Sequence, residues 1–173
     1  MILGLVAAKD HSNRFPGKNK YIHEGVPLFW HSVKPLLECV DVDEVYVITD
    51  SPAIKDYCSE KGVGVIWRPK NASRDEDKLI SVLRFGYYSL DTSYDITVGV
   101  MANCPGHKPE SISGAVSLMK RENLREVRSF NSDGGESGLL VLSRQLMEDN
   151  MDISYYIGSV TSEVTEVHTL EDL

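Results

Sequence analysis

Lys9-Asp10-His11-Ser12-Asn13-Arg14-Phe15-Pro16-Gly17-Lys18-Asn19-Lys20 holds the residue types that can grip a polyanion. Lys9, Arg14, Lys18 and Lys20 face only Asp10 locally, in a chain whose formal net charge is -8. A local reversal of charge marks a place where something anionic docks, and a triphosphate is the natural occupant. Phosphoryl and nucleotidyl transfer ask a protein mainly for positioning and charge neutralisation. Lys9, Arg14 and Lys18 supply fixed charge here, while Ser12 and the loop backbone supply neutral donors. Lys18 is expected to lie nearest the reacting phosphorus. Asn19, with both a donor and an acceptor, suits a sugar or a base. The alternative for this segment is an ordinary solvated turn, and the charge reversal counts against it.

Such a loop works only if regular elements hold it. Residues 2–8 read as a fully buried strand, continuous in apolar residues as central parallel strands are. The basic segment therefore starts at a strand's carboxyl end. Pro27 suits a helix start, with Phe29, Val33, Leu36, Leu37 and Val40 on one face and Pro35 expected to kink it. Residues 45–49 form a second strand ending at Asp50; Ser51-Pro52 opens a short helix that Gly62 caps. Residues 63–67 form a third strand, followed by a polar loop over 68–75. Leu79, Ile80, Leu83 and Tyr87 mark a helix, residues 96–102 a fourth strand, and Pro109 a helix start with Ile112, Val116 and Met119 on one face. Beyond Asn123 the pattern weakens: a Gly-rich acidic loop over 131–137, a strand over 138–142, a short helix over 144–150, and one or two short strands within 154–173. The alternation predicts an α/β fold, a Rossmann-like single domain over 1-173 with a mostly parallel central sheet and helices on both faces. Ligands bind outside the carboxyl ends of strands in such sheets. The basic loop, Asp50, Arg68 and Asn103 all fall there.

Composition narrows the class. With 173 residues, 42% apolar and 25% charged, the chain has an ordinary globular balance and length for one core. Its acidity argues against nucleic acid, and no apolar run reaches the roughly 18 residues of a membrane span. No signal peptide is expected, since the N-terminus lacks a positive flank and a small-residue cleavage pattern. Cys39, Cys58 and Cys104 fit a reducing cytoplasm. Asp50 reads equally as a site residue or as a helix cap or turn former. Arg68 stands between a triphosphate or base contact and a surface arginine. Cys104 reads as a small packing residue, His11, His23, His31 and His107 as surface or interface histidines, and Trp30 and Trp67 as core or interface anchors.

With these residues in hand, the chain resembles the nucleotide-sugar cytidylyltransferases, in particular the acylneuraminate cytidylyltransferases and the related spore-coat polysaccharide family. Their opening motif, Ala-Arg-x-x-Ser-x-Arg-x-Pro-x-Lys-Asn, appears as Ala8-Lys9, Ser12, Arg14, Pro16, Lys18 and Asn19. Gly25-Val26-Pro27-Leu28, Thr49-Asp50-Ser51 with Ile54 and Gly62, Arg68-Pro69 and Asn103-Cys104-Pro105 are similar to later family segments. Glu166-Val167-His168-Thr169-Leu170-Glu171-Asp172-Leu173 is similar to Asp-Ile-Asp-Thr-x-x-Asp-Leu. The resemblance implies the nucleotide-diphospho-sugar transferase type of this fold. It implies CTP as substrate, a small sugar or sugar-acid acceptor, Mg2+ or Mn2+ as cofactor, and a homodimer. It also implies catalytic roles for Lys18, Arg14 and Lys9, with the nucleotide contacted by Ala7, Ala8, Lys9, Ser12, Arg14, Lys18, Asn19, Arg68 and Asn103.

Several departures accompany the match. Lys9 replaces the motif's arginine, Met101 falls near a usual glutamine, and Asn103 stands for the spore-coat aspartate. The family's late aspartate pair, which helps hold the catalytic metal, becomes Glu166 and His168. Residues at i and i+2 of a strand point to one side, so the pair keeps its facing while exchanging a hard oxygen for an imidazole nitrogen. A weakened magnesium site, a turn toward manganese, the loss of a catalytic metal, and two surface residues of a frayed terminal strand all remain open. The chain is also short between Arg128 and Gly138, where relatives place a dimer-forming, sugar-contacting excursion. Leu139, Leu140, Tyr155 and Tyr156 are the apolar candidates for an interface. Two classes of function follow: a cytidylyltransferase-like enzyme, or a nucleotide-binding relative serving as a binding or assembly subunit. A nucleotidyltransferase using another base is a third reading, and Met101 favours it.

Overall fold

The computed structural model describes residues 1–12, 14–69, 78–149 and 156–173. Asn13, Tyr155 and most of the polar loop expected over 68–75 lie outside them. In chain order the elements are β1 (Ile2–Ala7), a hairpin of β2 (Ile22–His23) and β3 (Val26–Pro27), α1 (Trp30–Glu38), β4 (Glu44–Thr49), α2 (Pro52–Glu60), β5 (Gly64–Trp67), α3 (Leu79–Tyr88), β6 (Ile96–Met101), α4 (Pro109–Glu122), β7 (Glu126–Phe130), β8 (Glu136–Ser143), α5 (Arg144–Glu148) and β9 (Ile157–Thr161). Short 3-10 turns follow at Lys18–Lys20 and Leu170–Asp172.

Seven of the described strands form one sheet in the order β5-β4-β1-β6-β8-β7-β9. β1 pairs in parallel with both β4 and β6, and β8 alone runs antiparallel to its neighbours. The chain leaves β1 outward through β4 and β5, then returns to lay β6 on the other side of β1. The order therefore reverses between β1 and β6, which opens a crevice at their carboxyl ends. Helices cover both faces. On one, α1, α2 and α4 bury Val33, Leu36, Ile54, Ile112 and Val116 against Val6, Val98 and Val141. On the other, α3 and α5 bury Leu83, Tyr87, Leu146 and Met147 against Leu3, Leu5, Ile48 and Leu142. Arg84 ties these two helices together by donating to the carbonyls of Leu146 and Asp149 at 2.9 and 2.7 Å. An α/β fold with a mostly parallel central sheet and helices on both faces was expected, and the seven-stranded sheet is that architecture. None of the described helices is long and apolar enough to cross a membrane.

Several expectations are corrected. The first helix begins at Trp30 and not at Pro27, which pairs with Ile22 in the small hairpin. The amides of Leu28 and Phe29 donate to the carbonyls of Tyr21 and Asn19, which holds the chain off the helical path until Trp30. Leu37 and Val40 are exposed, Val40 at 95%, because the helix ends at Glu38 and its buried stripe is narrower than the apolar pattern. Strand β7 went unrecognised: it carries Glu126 and Arg128 inside its span, and their ion pair lets both charges sit on one sheet face. Leu139 and Leu140 belong to the two cores and offer no interface, being 2% and 8% exposed. Trp30 packs against Phe29 and Tyr57, whereas Trp67 stands 46% exposed at the end of the edge strand β5.

His107 is also corrected, from the surface to the interior. It is 4% exposed in the turn before α4. The Ser137 carbonyl can only accept, so Nε2 donates to it at 2.8 Å and Nδ1 accepts from the Ser162 hydroxyl at 2.8 Å. The ring thus joins α4's entry to β8 and to the end of β9. Burial pushes its pKa down to about 4. The unfolded chain takes this proton near pH 6.5 while the native fold resists it. Stability should therefore fall as pH drops from about 6.5 towards about 4, by about 3 kcal/mol in all. In urea unfolding, wild type is expected to weaken across that window more steeply than His107→Gln; parallel curves would show that His107 does not govern the acid response.

Candidate active site

The crevice between β1 and β6 is built from three pieces of chain. β1 ends in Ala7 and Ala8, small side chains that let the backbone leave the sheet close to its neighbours. The Ala8 amide donates to the Ile48 carbonyl at 2.9 Å, and Ala7 accepts from Ala102 at 3.4 Å. Lys9 then starts the basic loop. Its path is fixed from behind: Asp50, 3% exposed at the end of β4, accepts the Asp10 amide at 2.6 Å. The Asp10 carboxylate in turn accepts from Lys20 Nζ at 2.6 Å, which holds its pKa below the usual carboxylate value. Asn19 donates its side-chain amide to the Lys9 carbonyl at 2.8 Å. Gly17 takes φ +74°, a conformation open to glycine, and the 3-10 turn of Lys18–Lys20 follows from it. Phe15 and Tyr21 pack their rings 5.5 Å apart and close the loop on itself.

The third piece is the tail after β9. Val167 is fully buried, and its amide donates to the Asn103 carbonyl at 2.8 Å. Its own carbonyl accepts from Lys18 Nζ at 2.7 Å and from Asn103 Nδ2 at 3.2 Å. Asn103 Nδ2 also reaches Glu166 Oε1 at 3.3 Å, and Glu166 Oε2 lies 3.2 Å from His168 Nε2. Beyond His168, the Asp172 carboxylate accepts the His168 and Thr169 amides at 2.8 and 2.7 Å, pinning the segment as a capped turn. Residues 166–168, read as strand, form instead an irregular, tied segment.

These pieces enclose a cleft of about 320 Å³ lined by Lys9, Ser12, Arg14, Lys18, Met101, Asn103, Glu166 and His168. The structure thus brings together Lys9, Ser12, Arg14, Lys18, Asn103, Glu166 and His168 from three distant stretches of sequence. Burial lowers the Lys18 pKa from its ordinary value; Glu166 opposes that shift, while Arg14 and Lys9 add to it. The cleft therefore concentrates like charge where a polyanion would relieve it. Cys104, 1% exposed beneath the site, has its thiol pushed up to about 12 by burial and by Glu166. It packs beside Gly138, where the φ of +80° and the close sulfur leave no room for a side chain.

Other expected site residues stand elsewhere. Asn19 is 6% exposed and turned inward, so it shapes the loop and does not line the cleft. Arg68 lies at the end of β5 with its guanidinium over the Phe85 ring, 5.9 Å from the centroid, outside the lining. Ala7 and Ala8 act through their backbones at the root of the loop. Asp50 is outside the cleft lining and is not the N-cap of α2, which is Ser51; it anchors Asp10. The Val167 carbonyl, the partner of Lys18, carried no side-chain signal. A lone apolar residue between polar neighbours in the tail was its only trace.

The structure also places the residues on which a metal was expected, Glu166 and His168. A magnesium site wants oxygen donors in octahedral array, and among the described residues Glu166 is the one carboxylate lining the cleft. Both of its oxygens are engaged, one by Asn103 and one by His168. Among the described residues no group of three or more His, Cys, Asp or Glu side chains could hold a metal ion. Glu166 and His168 do face each other as their spacing suggests.

Residues 3–166 match the profile of a family described as cytidylyltransferase. The chain belongs to that cytidylyltransferase family. It is 32% identical over 123 residues to a CMP-N,N'-diacetyllegionaminic acid synthase of Legionella pneumophila, covering 69% of this chain and 53% of that protein. It is 28% identical over 119 residues to a 3-deoxy-manno-octulosonate cytidylyltransferase of Zea mays, covering 69% of this chain and 39% of the other. The chain thus spans about half or less of the length of these curated relatives. A CMP-2-keto-3-deoxy-manno-octonic acid synthetase complexed with CTP superposes with a TM-score of 0.78 at 15% identity, covering 97% of this chain and 93% of that one. The cytidylyltransferase fold expected from the sequence is the fold observed.

Removing the loop's anchor tests how the site is held. Asp50→Ala should cost about 2 kcal/mol, the range of a hydrogen bond to a charged group. Faster hydrogen exchange is expected at the Asp10 amide than at core strand amides. Unchanged exchange at Asp10 would show that the loop keeps its path without Asp50.

Proposed function

We propose that the chain transfers CMP from CTP to a hydroxyl of a small sugar or sugar acid, releasing pyrophosphate. The observation that carries this reading is the convergence of Lys9, Arg14 and Lys18 on one cleft at the β1–β6 crevice of a cytidylyltransferase fold. In the reaction, the acceptor oxygen bonds to the α-phosphorus and the bond to the bridging oxygen breaks. Pyrophosphate leaves with the electron pair, and the hydroxyl proton passes to solvent. Lys18 stands closest to the tail that closes the cleft and is assigned to the α-phosphate. Arg14 and Lys9 hold the remaining phosphates, and Ser12 with the loop backbone adds neutral donors.

A second cavity of about 580 Å³ shares Met101 and Glu166 with this cleft and continues toward Arg128, Leu139 and Leu140. It gives the acceptor a place beside the reacting phosphorus, as in-line transfer requires. The relatives are named for CMP-activated acids and for an octulosonate, which supports an acidic sugar. Met101, at the cleft where a base contact was expected, supports the reading in which another base is used. Asn103 and His168, in place of carboxylates, support the other reading, a nucleotide-binding subunit without turnover.

We infer a homodimer as well. With Leu139 and Leu140 in the core, Tyr156 and Ile157 at the start of the edge strand β9 are exposed apolar side chains that support it. Three free buried cysteines fit the cytoplasm as its compartment. Light scattering is expected to give the dimer mass at micromolar concentration; a monomer there overturns the assembly.

Incubation with CTP and a panel of sugars and sugar acids, following pyrophosphate, tests the activity directly. Tight CTP binding in a calorimeter with no pyrophosphate released from any acceptor would favour the binding subunit. Lys18→Ala should slow turnover by about 100-fold or more, the usual scale for one preorganised donor at a developing charge. Nucleotide binding should fall less than rate. Wild-type kinetics in this variant would remove Lys18 from the reacting centre.

A further inference from the structure

We propose that this cleft takes its nucleoside triphosphate as the metal-free anion, with Lys9, Arg14 and Lys18 meeting the phosphate charge and the Asn103–Glu166–His168 cluster occupying the place of a cation site. The inference rests on the reading of the cleft as a nucleotide site. It departs from what the family resemblance implies, and four observations carry it.

Among the described residues Glu166 is the one carboxylate in the lining, and its two oxygens face Asn103 Nδ2 at 3.3 Å and His168 Nε2 at 3.2 Å. A hard dication would have to displace both contacts to coordinate it. The orientation of Asn103 follows from its partners: Glu166 Oε1 and the Val167 carbonyl only accept, so the amide nitrogen must face them. The amide oxygen therefore points away from the position a metal on Glu166 would take. Next, the cluster is built and not loose. Val167 is fully buried, and the Asp172 carboxylate holds the His168 and Thr169 amides. Finally, Glu166 is the charge that favours the ammonium form of Lys18 against burial and against Arg14 and Lys9. A dication on Glu166 would take that support away and add like charge to a site already rich in it.

The consequence is a nucleotide affinity indifferent to chelation. CTP binding by calorimetry in EDTA is expected to match binding in magnesium to within about threefold, a difference under about 1 kcal/mol. Nucleotide-free wild-type protein should leave the electron paramagnetic resonance signal of free Mn2+ undiminished at millimolar metal. His168→Asp, and separately Asn103→Asp with His168→Asp, should lower that free Mn2+ signal and make CTP binding tighter in magnesium than in EDTA. Thermal melts report whether each variant is folded, and the wild-type measurements decide the matter without them. Loss of wild-type CTP affinity by about tenfold or more on chelation overturns the proposal while leaving the nucleotide site standing. So does a bound Mn2+ in wild type that Glu166→Gln releases. CTP binding in neither condition overturns the nucleotide reading itself, and this inference with it.

Discussion

Lys18 ends in a hydrogen bond to the carbonyl of Val167, and the site depends on that contact more than on any other. A half-buried ammonium near two further cations needs a fixed acceptor, and a hydrogen bond to a charged group contributes about 1.5–3 kcal/mol. The acceptor belongs to a backbone that has no strand to support it. Val167 supplies the support through its buried side chain and through the amide it donates to Asn103. Loop and tail are each irregular, and each is held by the other. The cleft exists because a residue near position 18 and one near position 167 close over the same crevice.

The sheet sets where that closure can happen. β1, β4 and β6 lie side by side, and each contributes at its carboxyl end. β1 sends out the basic loop, β4 presents Asp50 to catch the loop's Asp10, and β6 leads into Met101 and Asn103 beneath the tail. Asp50 shows why position in the sheet matters more than residue type. The same carboxylate one strand further out would be a helix cap or a surface charge; beside β1 it fixes the root of the loop. Two cores on opposite faces keep these strand ends rigid, so that the cations above them can hold a geometry that water would otherwise relax.

How far the sequence could be read follows from the physical range of each signal. Apolar runs made β1, β4, β5 and β6 legible, most plainly β1 and β6, because a strand buried on both faces leaves a continuous pattern. The cation cluster was legible because charge reversal is local. β7 was not, since Glu126 and Arg128 read as surface until their ion pair is seen. His107 was misread for a related reason: its partners, Ser137 and Ser162, lie far away in sequence and only the fold brings them within 2.8 Å. Leu139 and Leu140 looked available because an apolar pair reads the same whether it packs inward or outward. Asn19 carried the right chemistry for a ligand contact and spends it on the Lys9 carbonyl. In the tail, the spacing of Glu166 and His168 was read correctly as one facing pair, while the strand assumed to present them was not there.

That pair bears on how an acidic chain can own an anion site at all. A formal net charge of -8 repels polyanions from most of the surface. The three cations of the cleft invert that field over a small volume, and their mutual repulsion must be restrained while no ligand is present. Glu166 restrains it with one negative charge, and the neutral amide of Asn103 and the imidazole of His168 keep that charge in place without adding to it. A second carboxylate at either position would cancel more of the positive potential and open an oxygen set for a dication. The residues present hold the balance on the other side, leaving the cleft cationic through side chains alone. The positive potential of the cleft is thus set by which groups surround one glutamate, as much as by the lysines and arginine that line it.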